Sequence, residues 1–232
     1  MSVLLLRLAA PLQAWGDSSR FVRRQTRQEP TKSGVLGLLA AAQGRRRTDP
    51  IEDLAGTAFA VRVDQPGRLV RDFQTARSVD GLRTMPLSYR YYLADAVFVA
   101  AVEGDSALLE GLEAALRDPV YPLFLGRRSC PPAGRVSLGL REGDIEEALR
   151  EVAWQASTWY RRRQGRTVQV EIVRDAADPA DIGEVVRDHP VSFDPRRRQY
   201  GWRTVVRTHP LTIDNPAGRA TDHDAMAALG GA

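Results

Sequence analysis

Two runs in this chain carry apolar side chains at consecutive positions instead of alternate ones: SVLLLRLA at residues 2–9 and YRYYLADAVFVAAV at residues 89–102. A strand that is apolar on both faces must be covered on both, which places each run in the middle of a sheet. By contrast TAFAVRVD sets Phe59, Val61 and Val63 against Ala60, Arg62 and Asp64, the alternation of an edge strand with one wet face. RVSLGL, 135–140, reads as a second, short edge strand.

Two helical patterns separate these runs. In TKSGVLGLLAAAQG, residues Val35, Leu38, Leu39 and Ala42 fall at helical spacing, with Thr31 or Ser33 as N-cap and Gly44 as stop. Gly37 and the alanines at 40–42 are small enough for that helix to sit close on a sheet. In DSALLEGLEAALRDP the stripe is Leu108, Leu109, Leu112, Ala115 and Leu116, ended by Asp118-Pro119. The order is βαββαβ, that of an α+β, ferredoxin-like (RRM-like) domain whose first and third strands are central.

Residues 1–142 form this domain, with an inserted basic, turn-rich segment at about 65–90. From 143 to 232 the composition shifts toward a smaller β-rich region. DIEEALREVAWQ reads as a short amphipathic helix, TVQVEIVRD and YGWRTVVRTHPLTI as strands joined by Pro/Asp-rich connections, and RATDHDAMAALGGA as a frayed end.

The chain has 232 residues, 43% of them hydrophobic and 27% charged, as expected of a globular protein. Arg7 interrupts the first apolar run and no basic region precedes it, so it is not a signal peptide. No run reaches the roughly 20 apolar residues of a membrane helix, and the chain reads as cytoplasmic. A single cysteine, Cys130, excludes an internal disulfide, and no Cys/His or paired-carboxylate spacing calls for a metal or another cofactor.

Net charge is +4, and 32 of the 33 basic residues are arginine, Lys32 being the exception. A GC-rich genome accounts for arginine excess as well as function does, so the clustering is more informative than the total. RFVRRQTR, GRRR, LGRR, YRRRQGR and DPRRRQYGWR are local clusters, several beside aromatic residues. Planar guanidinium groups bind phosphate bidentately, and interleaved rings stack on bases, which suits single-stranded nucleic acid.

Two segments concentrate this chemistry. At TKSG, Lys32 and the free N–H groups of a helix start suit an anion, although an ordinary N-cap with a solvated lysine has the same sequence, and no P-loop frame exists. In YPLFLGRRSCPPAGR, Gly126 permits a tight turn, Arg127 and Arg128 supply charge, and Pro131-Pro132 stiffen the exit. A solvated turn is the plain alternative. Trp15 follows the first strand as a stacking ring or a core aromatic, and Cys130 reads as a small buried residue. YRYYLADAV lacks the glycine of an RNA-reading RRM strand, so loops must carry any RNA binding. His189, His209 and His223 are scattered, two of them before proline, and form no acid–base pair.

LLRLAAPLQAWG, TKSGVLGLLAAAQG, YRYYLADAVFVAAV and YPLFLGRRSCPP together, in order and spacing, resemble the CasD family of the type I-E CRISPR Cascade complex, over about residues 3–140. The resemblance implies a non-catalytic RAMP-superfamily subunit for antiviral defence that holds the 5′ handle of the CRISPR RNA and caps one end of the complex. Its implied partners are that RNA, the Cascade backbone subunits, the large subunit and, indirectly, target DNA. A thumb at 65–90 would fold across the RNA through Arg71, Arg77, Arg83 and Arg90. The further RNA contacts implied are Gln13, Trp15 and Arg20, then Lys32, Ser33 and Gly34, then Gly126, Arg127, Arg128 and Ser129. Some relatives in another CRISPR subtype are metal-independent endoribonucleases, which makes precursor cleavage the alternative.

Overall fold

The computed structural model describes residues 2–16, 23–178 and 180–219. In chain order, β1 (Ser2–Ala9) is followed by β2 (Leu12–Gln13), β3 (Arg23–Arg24), α1 (Lys32–Ala42), α2 (Glu52–Ala55) and β4 (Ala58–Gln65). Next come β5 (Arg68–Gln74), β6 (Ser88–Ala94), β7 (Val97–Gly104), α3 (Ser106–Arg117) and β8 (Ser137–Glu142). The last part holds α4 (Ile145–Glu151), α5 (Thr158–Arg161), β9 (Thr167–Val170), β10 (Ile172–Asp175), β11 (Glu184–Ser192), β12 (Gln199–Arg207) and β13 (Leu211–Asp214).

The main sheet runs β11-β12-β10-β4-β7-β1-β8 and is antiparallel throughout. β1 and β7 lie side by side inside it, and both of their faces are covered. Leu4, Leu6, Leu8, Phe98, Ala100 and Val102 meet Val35 and Leu39 of α1 and Leu109 and Leu112 of α3. On the other face Val3, Leu5, Val99 and Ala101 meet Ile145, Ala148 and Leu149 of α4. Each of the buried Val, Leu, Ile and Phe side chains contributes about 1.5–3 kcal/mol, so the consecutive apolar runs are what a two-sided core selects.

The edge-strand reading of TAFAVRVD is corrected. β4 is interior, between β7 and β10, because the C-terminal strands extend the same sheet. Its polar side chains are therefore buried with partners: Arg62 and Asp64 form an ion pair of 2.6 Å, both fully inaccessible. The guanidinium also donates to the carbonyls of Leu149, Val152 and Ala153, and so closes the C-terminal end of α4.

YRYYLADAVFVAAV is not one strand. Asp95 adopts a φ of 55°, and the chain turns there from β6 into β7. β6 belongs to a second sheet with β2, β3 and β5. TVQVEIVRD breaks likewise into β9, which pairs with β13, and β10 of the main sheet. β11, which falls in the Pro/Asp-rich stretch expected as a connection and contains Pro190, is the outermost strand of the main sheet. An outer strand tolerates proline, and the register with β12 is irregular there. Gly37, expected against the sheet, instead points at Phe193 in the β11–β12 connection.

Candidate nucleic-acid interface

α1 starts where Thr31 caps it, its hydroxyl accepting from the Gly34 N–H. The anion position at this helix start is occupied from within the protein. The Lys32 N–H donates to Asp188 Oδ2 at 2.8 Å, so a carboxylate from β11 already complements the dipole. Lys32 Nζ is buried and donates to the Thr57 carbonyl (2.6 Å) and to Asp175 Oδ2 (2.9 Å). Arg203 bridges Asp175 and Asp188, each at 2.5 Å. The expected phosphate grip at Lys32 is thus corrected: the ammonium ties α1 to β10, the Lys32 N–H ties it to β11, and Arg203 of β12 reaches the same two carboxylates. His189, beside it, is held below the usual imidazole range by burial and by the charges of Lys32 and Arg203.

Gln13 and Trp15 are corrected in the same sense. Both are fully buried. Gln13 Nε2 donates to the Leu8 and Ala96 carbonyls, and its Oε1 accepts from the indole N–H of Trp15 at 3.1 Å. A Cβ on Gly34 would fall 2.9 Å from the Trp15 ring, so glycine there admits the indole. Trp15 therefore packs against the start of α1 and offers no face to a base.

The 121–130 loop is fixed by its backbone. Gly126 has a φ of 83°, and a Cβ there would lie 1.6 Å from the Ala14 carbonyl oxygen. The Ala14 N–H donates to Leu125 and the Leu125 N–H to Cys130. Arg127 does not reach outward: Nη1 donates to the Tyr91 carbonyl and Nη2 to that of Arg24, with the guanidinium 4.6 Å from the Tyr92 ring centre. Arg128 and Ser129 are exposed, and Cys130 is buried, its thiol pushed up by burial.

What the sequence did not bring together is a cleft of about 1230 Å³ between the outer face of α1, the 24–27 segment, the 121–127 loop and the β11–β12 hairpin. Arg24, Arg27, Arg45, Arg46, Arg47, Arg127, Arg187 and Arg198 line it against one carboxylate, Glu184. Four of the five arginine clusters thus converge on one surface. Arg27 is engaged by Glu29 and Glu184, and Arg45 by Asp53. Arg24, Arg46, Arg47 and Arg198 have no ion pair among the described residues. Tyr121, Phe124, Phe193, Tyr200 and Trp202 add rings, and Trp202 is 66% exposed with Arg187 over it. Of the residues expected at RNA, Trp15, Ser33, Gly34, Gly126 and Arg127 line this cleft, Trp15 from beneath its floor with no accessible surface. GRRR and DPRRRQYGWR were visible as clusters, but nothing in the sequence says that β11 and β12 return across α1.

The 65–90 segment is the β5–β6 hairpin. Arg71 lies over the Tyr89 ring at 5.4 Å, Arg77 bridges to Thr84, and Arg71, Arg77 and Arg83 are exposed. Arg90 is half-buried and pairs in parallel with Arg24 of β3, which carries the hairpin's base to the cleft edge. Arg20 and His223 lie outside the described residues. No helix among the described residues is long and apolar enough to cross a membrane.

A family profile described as CRISPR-associated protein (Cas_Cas5) matches residues 3–206. The chain is 37% identical to the CRISPR system Cascade subunit CasD of Escherichia coli (strain K12), across 64% of this chain and 75% of that protein. Among solved structures, a chain of a CRISPR RNA-guided surveillance complex matches with a TM-score of 0.76 at 32% identity, covering 98% of both chains. A second, described as a Cas protein, matches with a TM-score of 0.69 at 34% identity, covering 95% of this chain and 100% of the other. The chain belongs to the Cas5 family of CRISPR-associated proteins.

Proposed function

We propose that this chain is a non-catalytic subunit of a Cascade-type surveillance complex and holds the 5′ handle of the CRISPR RNA in the arginine-lined cleft. The observation that carries this is the convergence of Arg24, Arg46, Arg47 and Arg198, none of them in an ion pair among the described residues, with exposed rings on one surface. It occurs in a chain that matches, over 98% of its length, a chain of a CRISPR RNA-guided surveillance complex. Such a surface replaces counterions along a phosphate backbone and stacks unpaired bases, each base worth about 1–3 kcal/mol.

In this reading β1, α1, β4, β7, α3 and β8 are the ferredoxin-like frame, since their strands lie in the order β4-β7-β1-β8. The β5–β6 hairpin is the thumb. Its exposed Leu69, Phe73 and Leu82 face a neighbouring backbone subunit while Arg71, Arg77 and Arg83 follow the RNA. Arg128 and Ser129 extend the grip beyond the cleft rim. Arg127 positions that loop.

The test is Arg46→Ala with Arg47→Ala and Arg198→Ala in the co-expressed, assembled complex, titrated with handle RNA across salt concentrations. Three lost phosphate contacts reduce the salt slope by about two. An unchanged slope, with RNA still co-purifying at wild-type yield, overturns the cleft. Incubating the purified chain with repeat RNA in EDTA tests the non-catalytic role: defined cleavage that disappears on His189→Ala would establish a ribonuclease instead.

A further inference from the structure

The fifth arginine cluster, YRRRQGR, does not reach the cleft. It occupies α5 and the turn into β9, beside the C-terminal end of β4, where the Ser157 N–H and hydroxyl both donate to Gln65 Oε1. The start of β4 is held near α1 through Thr57 and Lys32, and the strand's eight residues put about 25 Å between that end and the end beside α5.

The cluster is built, not merely exposed. Trp154 is buried and donates its indole N–H to the Asp64 carbonyl. Arg161 lies over the Trp154 ring and donates to the Ala156 and Trp154 carbonyls, which fixes α5 in place. Tyr160 packs edge-on to both Trp154 and Trp159. Outside this footing, Arg163 lies over Trp159 at 5.3 Å, and the Trp159 side of the pair is 45% exposed.

Arg162, Arg163 and Arg166 are exposed and have no ion pair among the described residues. Arg219 joins them, its backbone N–H donating to the Gln164 carbonyl and its side chain exposed. The carboxylate brought closest by strand pairing is Asp214, opposite Thr167, while Glu171 is taken by Arg207. Three further guanidinium groups beside a stacked Arg163–Trp159 pair complement phosphates that carry an unpaired base.

We infer that Trp159, Arg162, Arg163, Arg166 and Arg219 form a second surface for single-stranded nucleic acid, separate from the cleft. This surface does not depend on the handle reading. Unpaired carboxylates on a protein would match the charge but leave the exposed Trp159 plane without a role, which favours a nucleic acid.

The test uses the full chain and a fluorescent oligothymidylate probe, measured by anisotropy across salt. The variants are Arg162→Ala/Arg163→Ala/Arg166→Ala, the cleft triple Arg46→Ala/Arg47→Ala/Arg198→Ala, and all six together. On the cleft triple, adding the three α5-turn substitutions lowers residual affinity at least tenfold and reduces the salt slope by about two. Trp159→Leu alone lowers affinity several-fold and leaves the slope unchanged, which separates stacking from charge. Residual binding by the cleft triple that is insensitive to the α5-turn substitutions overturns the inference. So does loss of a co-purifying subunit with probe binding intact, which would identify an acidic protein partner. Loss of binding from the α5-turn variant but not from the cleft triple overturns the cleft reading and leaves this one standing. Far-ultraviolet circular dichroism and melting temperature of each variant confirm that it is folded.

Discussion

Replacing Arg62 by methionine removes the side chain on which the junction between β4 and α4 depends. Its Nε and Nη2 grip the two oxygens of Asp64 at 2.6 and 2.9 Å, Nη1 donates to the Leu149 and Val152 carbonyls, and Nη2 donates to Ala153. Methionine fills much of the volume but leaves a buried carboxylate and three carbonyls without these donors. Breaking a buried pair from one side costs about 3–5 kcal/mol, and for a chain of this size each kcal/mol lowers Tm by about 2–4 °C. A drop of roughly 6–20 °C is expected in circular-dichroism melts. The sign of the pH dependence is fixed as well. Burial pushes the Asp64 carboxyl up while Arg62 and the Gln155 N–H pull it down. Without Arg62 the folded-state pKa rises further above the unfolded value of about 3.9, so the protonated carboxyl favours the fold at low pH. That relief is lost as pH rises through the raised pKa. The variant should therefore fall furthest below wild type at pH 8 and least near pH 4.5. Arg62→Met with Asp64→Leu should recover part of the loss, since replacing both partners leaves no orphaned charge. A single variant within 2 °C of wild type, or a deficit independent of pH, would refute the account of this pair.

Gly126→Ala forces a Cβ to within 1.6 Å of the Ala14 carbonyl at a φ of 83°. It should lower Tm by at least about 4 °C, from left-handed strain of 1–2 kcal/mol and an opened loop. Gly134→Ala, with a φ of 95° and open space around it, incurs only the strain; equal losses for the two would count against the close approach. His189, held low by burial and by Lys32, contributes stability that is present above the unfolded pKa of about 6.5 and is lost as pH falls through the folded one. His189→Asn should flatten the stability profile below about pH 6.5 in urea titrations, and an unaltered profile would refute that role.

The two-sided burial of β1 and β7 was legible because a strand-length run of consecutive apolar residues leaves neither face fit for water. The end of α3 at Asp118 was legible, and the start of α1 was narrowed to Thr31 or Ser33, because capping chemistry is local. The fate of β4 was not, because alternation looks the same whether the polar side chains meet water or, like Arg62 and Asp64, meet each other and the end of a helix from beyond residue 144. The turn at Asp95 was hidden for a related reason. A non-glycine residue with positive φ leaves little local signature inside an apolar run.

The site followed the same rule with the opposite outcome for different residues. Trp15, Gln13 and Lys32 carry the chemistry expected of a contact, and all three are spent on the interior, the lysine on carboxylates that arrive from β10 and β11. Those carboxylates could not be assigned from sequence, because Asp188 lies 156 positions from the helix start it caps. Once β11 is anchored there, Asp188 and Arg203 hold the β11–β12 hairpin against α1, and Phe193 reaches Gly37. Arg198 and Trp202 are thereby carried to the cleft that Arg46 and Arg47 reach from the other side. The buried ion network thus holds the exposed arginines of the β11–β12 hairpin in place. Cationic side chains that looked like ligand contacts assemble the surface, and arginines that looked like compositional excess line it.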